Sequence, residues 1–156
     1  MRSSAGALAR CSRSSAAWPS TSRKGSQDRR RLFVSAVIDG AQHITLSSRT
    51  TTDAPFSVPV AIPELDSTGL ECCQSLSEDE RVIVFASTRG GAVQLYYATR
   101  KDRTDRFLAP RAVPIVFPAS GFDLHTSLSA DGCTLYLSST RPGVGGFDLW
   151  VSGIGN

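Results

Sequence analysis

The sequence predicts an all-β protein in which a unit of four short strands recurs about three times. A sequence pattern repeats with a period of about 51 residues. Within each copy, apolar residues alternate with a period of two, as in a strand, and no stretch has helical spacing with caps. A period of this length is long for a helical hairpin and suits four strands with their turns. The sequence therefore predicts a partial β-propeller of about three four-stranded blades.

The clearest repeat relates residues 75–89 (SLSEDERVIVFASTR) to residues 127–141 (SLSADGCTLYLSSTR). Seven of these fifteen positions are identical at an offset of 52, whereas chance would supply roughly one at ordinary residue frequencies. Residues 49–63 also match residues 100–114 at an offset of 51, with Arg, Phe, Pro, Ala and Pro coinciding. The chain therefore contains at least two related units.

A third copy lies towards the start of the chain. Residues 31–40 align with residues 81–90, and the segment that begins at His43 aligns with the segment that begins at Gln94. The Ser-rich opening turn has only a faint echo, at residues 19–25, which needs an insertion of about five residues to fit the period. We therefore expect the first copy to be degraded and to have lost most of its opening turn.

The middle copy has four predicted strands, bounded by Gly, Pro, Asp or Ser: about 71–76, 82–87, 93–99 and 112–117. The last copy has three, near 124–128, 134–139 and 147–152, so it lacks its fourth strand. We expect a disordered basic Ser/Arg-rich tail at 1–15 and an incomplete propeller at 16–156. Its blade-like units cover about 16–63, 64–118 and 119–156.

The last copy carries a family resemblance. Residues 129–132 (Ser-Ala-Asp-Gly) precede an apolar strand that ends in Ser-Thr-Arg, and Gly-Gly-Phe-Asp-Leu-Trp-Val follows at 145–151. This order resembles the TolB-type, WD40-like β-propeller repeat over roughly residues 16–156, although the middle copy departs from it at Glu80 and Gln94. The resemblance implies a propeller fold, a protein–protein role and a periplasmic or cell-envelope location, whereas the sequence itself shows no signal peptide.

Several repeat residues are expected to be structural. Gly132 supplies a positive φ to a tight turn. Arg89 and its counterpart in the next copy end equivalent strands, where they either pair with acids of neighbouring turns or ring an anionic ligand. A bulky aromatic residue at the equivalent of Tyr96 suits packing between blades. The full set of expected structural residues is Asp79, Arg89, Asp131, Gly132, Arg141 and Trp150.

One candidate ligand cluster follows from the repeat. Equivalent positions of successive blades lie side by side near the central channel, which would bring together Glu71, Cys73, Asp123 and His125. Thiolate, imidazole and carboxylate groups could hold zinc, but their spacing matches no recognised zinc motif. Cys72 and Cys73 are neighbours and cannot form a disulfide without a strained local geometry, so we expect thiols.

The sequence carries no motif for catalysis or for a cofactor. Gly-x-Ser-x-Gly, a phosphate loop and a dinucleotide fingerprint are absent, no apolar run is long enough to span a membrane, and no nucleic-acid motif accompanies the basic start. We therefore expect no catalytic residue, no cofactor and no bound metal. The expected partner is a protein, with self-association through open blade edges as a second route.

These observations favour a non-enzymatic β-propeller module that binds protein or acts as a scaffold, as a fragment of a larger propeller. Three blades are fewer than the four or more of closed propellers. The alternative is the propeller portion of a hydrolase, a peptidase gating domain or a sugar-acting domain, whose catalytic part is missing. A third hypothesis is a degenerate product without function.

Overall fold

The computed structural model describes residues 23–114, 123–140 and 146–153, and these residues form three antiparallel sheets. The helical element within them is a short 3₁₀ turn, Pro63–Leu65. Within the same ranges no helix is long and apolar enough to cross a membrane. The predicted tail at 1–15 and Arg141 lie outside the described residues.

Each sheet is a meander in which consecutive strands are neighbours. The first sheet consists of β1 (Arg23–Gly25), β2 (Arg31–Ile38), β3 (Ala41–Ser48) and β4 (Val60–Ala61). The second consists of β5 (Glu71–Leu76), β6 (Val82–Gly90), β7 (Ala92–Thr99) and β8 (Arg111–Ala112). The third consists of β9 (Asp123–Leu128), β10 (Thr134–Ser139) and β11 (Asp148–Gly153). This arrangement confirms the predicted partial propeller with sheets of four, four and three strands.

The fourth strand of the second sheet is shorter than the sequence suggested. Strand β8 covers only Arg111–Ala112, whereas the prediction extended from 112 to 117. Pro114 follows closely, and a proline lacks the N–H group that a longer ladder with β7 would need. Residues 115–117 lie outside the described part of the chain.

A serine–aspartate turn joins the first two strands of each sheet. In the second sheet the Ser77 hydroxyl donates to Asp79 Oδ1 (2.7 Å) and accepts from the Val82 N–H (3.0 Å), while Asp79 Oδ1 accepts from the Arg81 N–H (3.0 Å). The corresponding bonds recur in the other two sheets, through Ser26, Asp28, Arg30 and Arg31 and through Ser129, Asp131, Cys133 and Thr134. Each turn therefore satisfies its own backbone donors.

The opening turn of the first sheet does not lie where the sequence alignment placed it. It lies at Ser26-Gln27-Asp28-Arg29, one full repeat before its counterpart and without an insertion, rather than at 19–25. In the strand that follows, Arg31 pairs with Ser48 as Val82 pairs with Thr99, so Arg31 corresponds to Val82 and not to the preceding residue. This shift of one residue exchanges the two faces of a strand. The turn escaped the alignment because Arg29 occupies, at φ 56°, the left-handed position that glycine takes in the third turn.

Two apolar clusters hold the three sheets together. The alternation of β6 divides its side chains between them, because Phe85 faces the first sheet and Val84 faces the third. Both side chains are fully buried, and burying an apolar side chain of this size stabilises a fold by about 1.5–3 kcal/mol. The first cluster is Phe33, Ile44, Leu65, Leu76, Ile83, Phe85, Tyr96, Ala98 and Phe107. The second is Cys72, Cys73, Val84, Ala86, Leu95, Val113, Leu128, Leu135 and Leu137.

Strand β5 is joined to β9 of the third sheet and to β2 of the first sheet by isolated side-chain bridges rather than by a ladder. The Leu128 N–H donates to Ser75 Oγ (2.9 Å), and Thr126 Oγ1 donates to the Cys73 carbonyl (3.0 Å). On the other side, Ser35 Oγ donates to Gln74 Oε1 (2.7 Å). These bridges fix the spacing of neighbouring sheets.

Candidate functional site

A groove of about 360 Å³ lies where the serine–aspartate turns of the three sheets meet. The turns stack directly on one another, because the Glu78 N–H donates to the Ala130 carbonyl (3.1 Å) and the Gln27 side chain donates to the Glu78 carboxylate. Residues from all three sheets line the groove: Lys24, Gly25, Ser26, Gln27, Phe33, Leu76, Ser77, Glu78, Glu80, Leu128 and Ala130.

The groove combines apolar and charged groups. Glu80 is buried and is neutralised by Arg31 (2.8 Å) and Arg100 (3.2 Å), so its charge is already balanced within the protein. Lys24 and Glu78 contribute one charge of each sign. A surface with apolar side chains and balanced charges suits a polypeptide better than a polyanion, which requires a positive field.

Glu71 and Arg89 form a buried network at the junction of the first two sheets. Arg89 donates through Nη2 to the Leu65 carbonyl (2.5 Å) and to Glu71 Oε1 (3.4 Å). Its guanidinium also lies over the ring of Tyr96, 5.0 Å from the ring centre. Arg89 thus pairs with an acid in a strand of its own sheet, rather than with an acid of a neighbouring turn.

Of the hypothetical cluster of Glu71, Cys73, Asp123 and His125, the structure separates Glu71 from Cys73. Glu71 lies against the first sheet, whereas Cys73 belongs to the apolar cluster that faces the third sheet. Asp123 and His125 occupy β9, but their side chains lie outside what the structure describes, so their part of the hypothesis stays a prediction. In a regular strand Glu71 and Cys73 would share a face. They do not, because Cys73 has a positive φ of 59° and β5 shifts its register there.

Cys72 and Cys73 are present as thiols. Their Sγ atoms lie 3.1 Å apart, and both side chains are buried. The neighbouring Cys73 thiol and burial of the site raise the pKa of Cys72 well above its ordinary value. A thiol held in its neutral form is a poor nucleophile. This pair therefore serves packing better than covalent chemistry.

The aspartates of the repeat close turns. Hydrogen bonds from the Ser129 hydroxyl and the Cys133 N–H lower the pKa of Asp131 below its ordinary 3.8, despite some opposing desolvation. Asp28 is lowered in the same way by its serine and by a backbone N–H. Burial opposes this effect most strongly at Asp79, but hydrogen bonds from the backbone and from a serine outweigh it and lower the pKa there too. Each carboxylate is thus engaged within its own turn.

Trp150 marks the difference between the second and third sheets. Its counterpart Tyr96 is buried between the first two sheets, whereas Trp150 is half-buried against the second cluster. On the opposite face the contrast is larger, because Val84 is 0% exposed and its counterpart Tyr136 is 40% exposed. The outer face of the third sheet is therefore open at a position that another sheet covers in the middle blade.

The sequence did not identify two equivalent arginines that close the outer loops. Arg100 donates through Nε to the Glu80 carbonyl (2.7 Å), and its guanidinium lies 4.3 Å from the centre of the Phe107 ring. Arg49 makes the same pair of contacts at the equivalent position of the first unit, with the Arg29 carbonyl (2.8 Å) and with a phenylalanine ring at 4.5 Å. The Arg and the Phe that coincide between residues 49–63 and residues 100–114 were the signal in the sequence that could have identified these contacts.

The sequence also missed a contact between His43 and Asp66. His43 lies on β3, and Asp66 follows the 3₁₀ turn. The hydrogen bond to the Asp66 carboxylate raises the pKa of His43 above its ordinary 6.5, against some desolvation. Within the part of the chain that the structure describes, His43, Asp66 and Glu71 form a group that could hold a metal ion.

The comparisons support the propeller fold. No protein-family model matches the sequence, and no curated protein matches it. A matching solved structure is TolB from Acinetobacter baumannii, with a TM-score of 0.55 and 19% sequence identity. The match covers 85% of this chain, which spans 29% of the TolB chain. The three sheets thus share the fold of a TolB-type β-propeller.

Proposed function

We propose that this chain is a non-catalytic β-propeller module that binds protein, and that its three blades form part of a larger propeller. The observation that carries the proposal is the open outer face of the third sheet around Tyr136, whose counterpart Val84 is fully covered in the second sheet. A partly apolar sheet face is typical of a surface that packs against another sheet. The partner is therefore a further blade or a second copy of the chain.

Two further features support a binding role over catalysis. The groove between the serine–aspartate turns has balanced charges, and its buried acid, Glu80, is occupied by Arg31 and Arg100. The raised pKa of Cys72 argues against a reactive thiol. The similarity to TolB, which spans 29% of that protein, favours a segment of a longer propeller.

Self-association of the purified chain tests this proposal. Size-exclusion chromatography with light scattering should show oligomers that grow with concentration, because the open face is covered by a second copy. Tyr136→Glu should shift the chain towards monomer, since it places a charge in the centre of that face. Val58→Glu is the matched control, because Val58 is 81% exposed and lies outside both apolar clusters.

Circular dichroism of each variant confirms that the strands remain folded. A chain that stays monomeric at high concentration contradicts a second copy of the chain as the partner of the open face. An equal response to Tyr136→Glu and Val58→Glu contradicts it as well, because the effect would then reflect added charge alone.

A further inference from the structure

Three ligand-type side chains meet where the first two sheets pack together. His43 comes from β3, Asp66 from the connection between the sheets, and Glu71 from the first position of β5. Each offers one ligand atom, and these three atoms all lie within 4.8 Å of one another. Neither the repeat nor the TolB-type resemblance predicts this group, since its members are not equivalent positions of successive blades.

The carboxylate of Glu71 is incompletely satisfied by protein groups. Its Oε1 atom is contacted by the Ser67 hydroxyl, the Ser87 hydroxyl (3.1 Å) and Arg89 Nη2 (3.4 Å). Its Oε2 atom is equally buried, and no hydrogen-bond partner for it occurs among the described residues. The whole side chain is 0% exposed. A buried carboxylate oxygen without a partner is costly, so it indicates a missing cationic or donor group.

Arg89 does not fill this role. Its guanidinium also donates to the Leu65 carbonyl and to Ser87 Oγ, and it reaches Glu71 only through Oε1. A partner for Oε2 must therefore come from elsewhere. Access exists on the side of Asp66, whose side chain is 35% exposed, while that of His43 is 14% exposed.

The donor set points to a class of metal. One imidazole nitrogen and two carboxylate oxygens suit zinc and related divalent first-row ions, which bind three protein ligands and leave a further position for water. Calcium requires six or more oxygen ligands, which this group does not offer. The direct hydrogen bond between His43 and Asp66 holds the two ligands close together in the protein alone.

We propose that His43, Asp66 and Glu71 form a binding site for a divalent first-row transition metal ion, with water completing the coordination. Because His43 belongs to the first sheet and Glu71 to the second, the ion joins two neighbouring blades. Binding a ligand to the folded state alone also raises the stability of that state, so the ion stabilises the junction between the first two blades.

Titration of the full chain with zinc chloride tests the site. After chelator treatment and desalting, calorimetry and elemental analysis should show one zinc ion per chain, and the midpoint of thermal unfolding should rise with zinc. His43→Asn and Asp66→Asn should each weaken binding at least about tenfold, as changes around metal ligands commonly do. Both variants retain the buried Glu71–Arg89 pair, so they should fold. Cobalt(II) adds a spectroscopic readout, because its visible absorption in the chain should disappear in His43→Asn.

The controls are the residues of the alternative cluster. Cys73→Ser and His125→Asn should leave zinc affinity unchanged, and His125→Asn matches His43→Asn as the removal of the chain's other histidine. Absence of stoichiometric binding overturns the proposal. So does unchanged affinity in His43→Asn and Asp66→Asn, or a loss of binding in Cys73→Ser or His125→Asn.

Discussion

Exchanging one pair of equivalent side chains tests how the sheets are stacked. Val84 in β6 and Tyr136 in β10 occupy the same position of the repeat, yet Val84 is enclosed by the third sheet and Tyr136 is partly exposed. Val84→Tyr inserts an aromatic ring into a closed cluster. Tyr136→Val shortens a side chain on an open face. The two reciprocal substitutions should therefore have very different effects on the free energy of unfolding.

The expected magnitude follows from burial. Overpacking a closed core costs about 1–3 kcal/mol, and a buried hydroxyl without a partner adds about 1–3 kcal/mol. Val84→Tyr should therefore lower the free energy of unfolding by about 2–6 kcal/mol, and the melting temperature by roughly 2–4 °C for each kcal/mol. Tyr136→Val should change it by no more than about 0.5 kcal/mol.

Thermal and urea unfolding, followed by circular dichroism at a concentration where the chain is monomeric, measure both values. A loss of several kcal/mol in Tyr136→Val would refute the reasoning, because it would mean that the outer face of the third sheet is covered. A neutral Val84→Tyr would refute it too, since the second and third sheets could not then be closely packed.

Three further predictions concern the turns and loops. Gly132→Ala should destabilise the protein by about 1–3 kcal/mol more than Gly91→Ala. Both glycines have positive φ, but only at Gly132 would the new Cβ lie 3.1 Å from a carbon of the neighbouring turn. Arg100→Ala should cost about 3 kcal/mol or more, because it leaves the buried Glu80 with a single arginine. The matched Arg49→Ala removes a bond to a carbonyl and a contact with the Phe56 ring but leaves no buried carboxylate behind, so it should cost only about 1 kcal/mol. Folding lowers the pKa of each turn aspartate. The contribution of these carboxylates to the free energy of unfolding should therefore be fully present above pH 3.8 and be lost as the pH falls through their lower pKa values in the folded state.

Chemical denaturation of each variant checks these values, and a pH series checks the last. Equal losses at the two glycines would show that the turns of neighbouring blades do not touch. Equal losses at the two arginines would show that the buried carboxylate adds nothing to the loop closure. Stability that does not fall as the pH is lowered below 3.8 would show that the turn carboxylates are not stabilised by folding.

Most strands of the second and third sheets could be predicted from the sequence. The bounds of β5 and β10 agree with the predicted 71–76 and 134–139, because alternating apolar residues and flanking turn residues are local signals. The turn at Ser26 was missed for a local reason as well. Without a glycine, Ser-Gln-Asp-Arg lacks the usual mark of a left-handed residue, although its hydrogen bonds are those of the other two turns.

The sequence by itself determined the repeat and its four-stranded unit, since the strands and turns of one unit depend on residues that are close together along the chain. Tertiary structure alone decided which face each strand presents to which sheet, because a shift of one position between two copies is a small difference in sequence and a complete exchange of faces in space. It also brought His43, Asp66 and Glu71 together. That meeting depends on how one blade packs on the next, and no periodic signal along the chain records it.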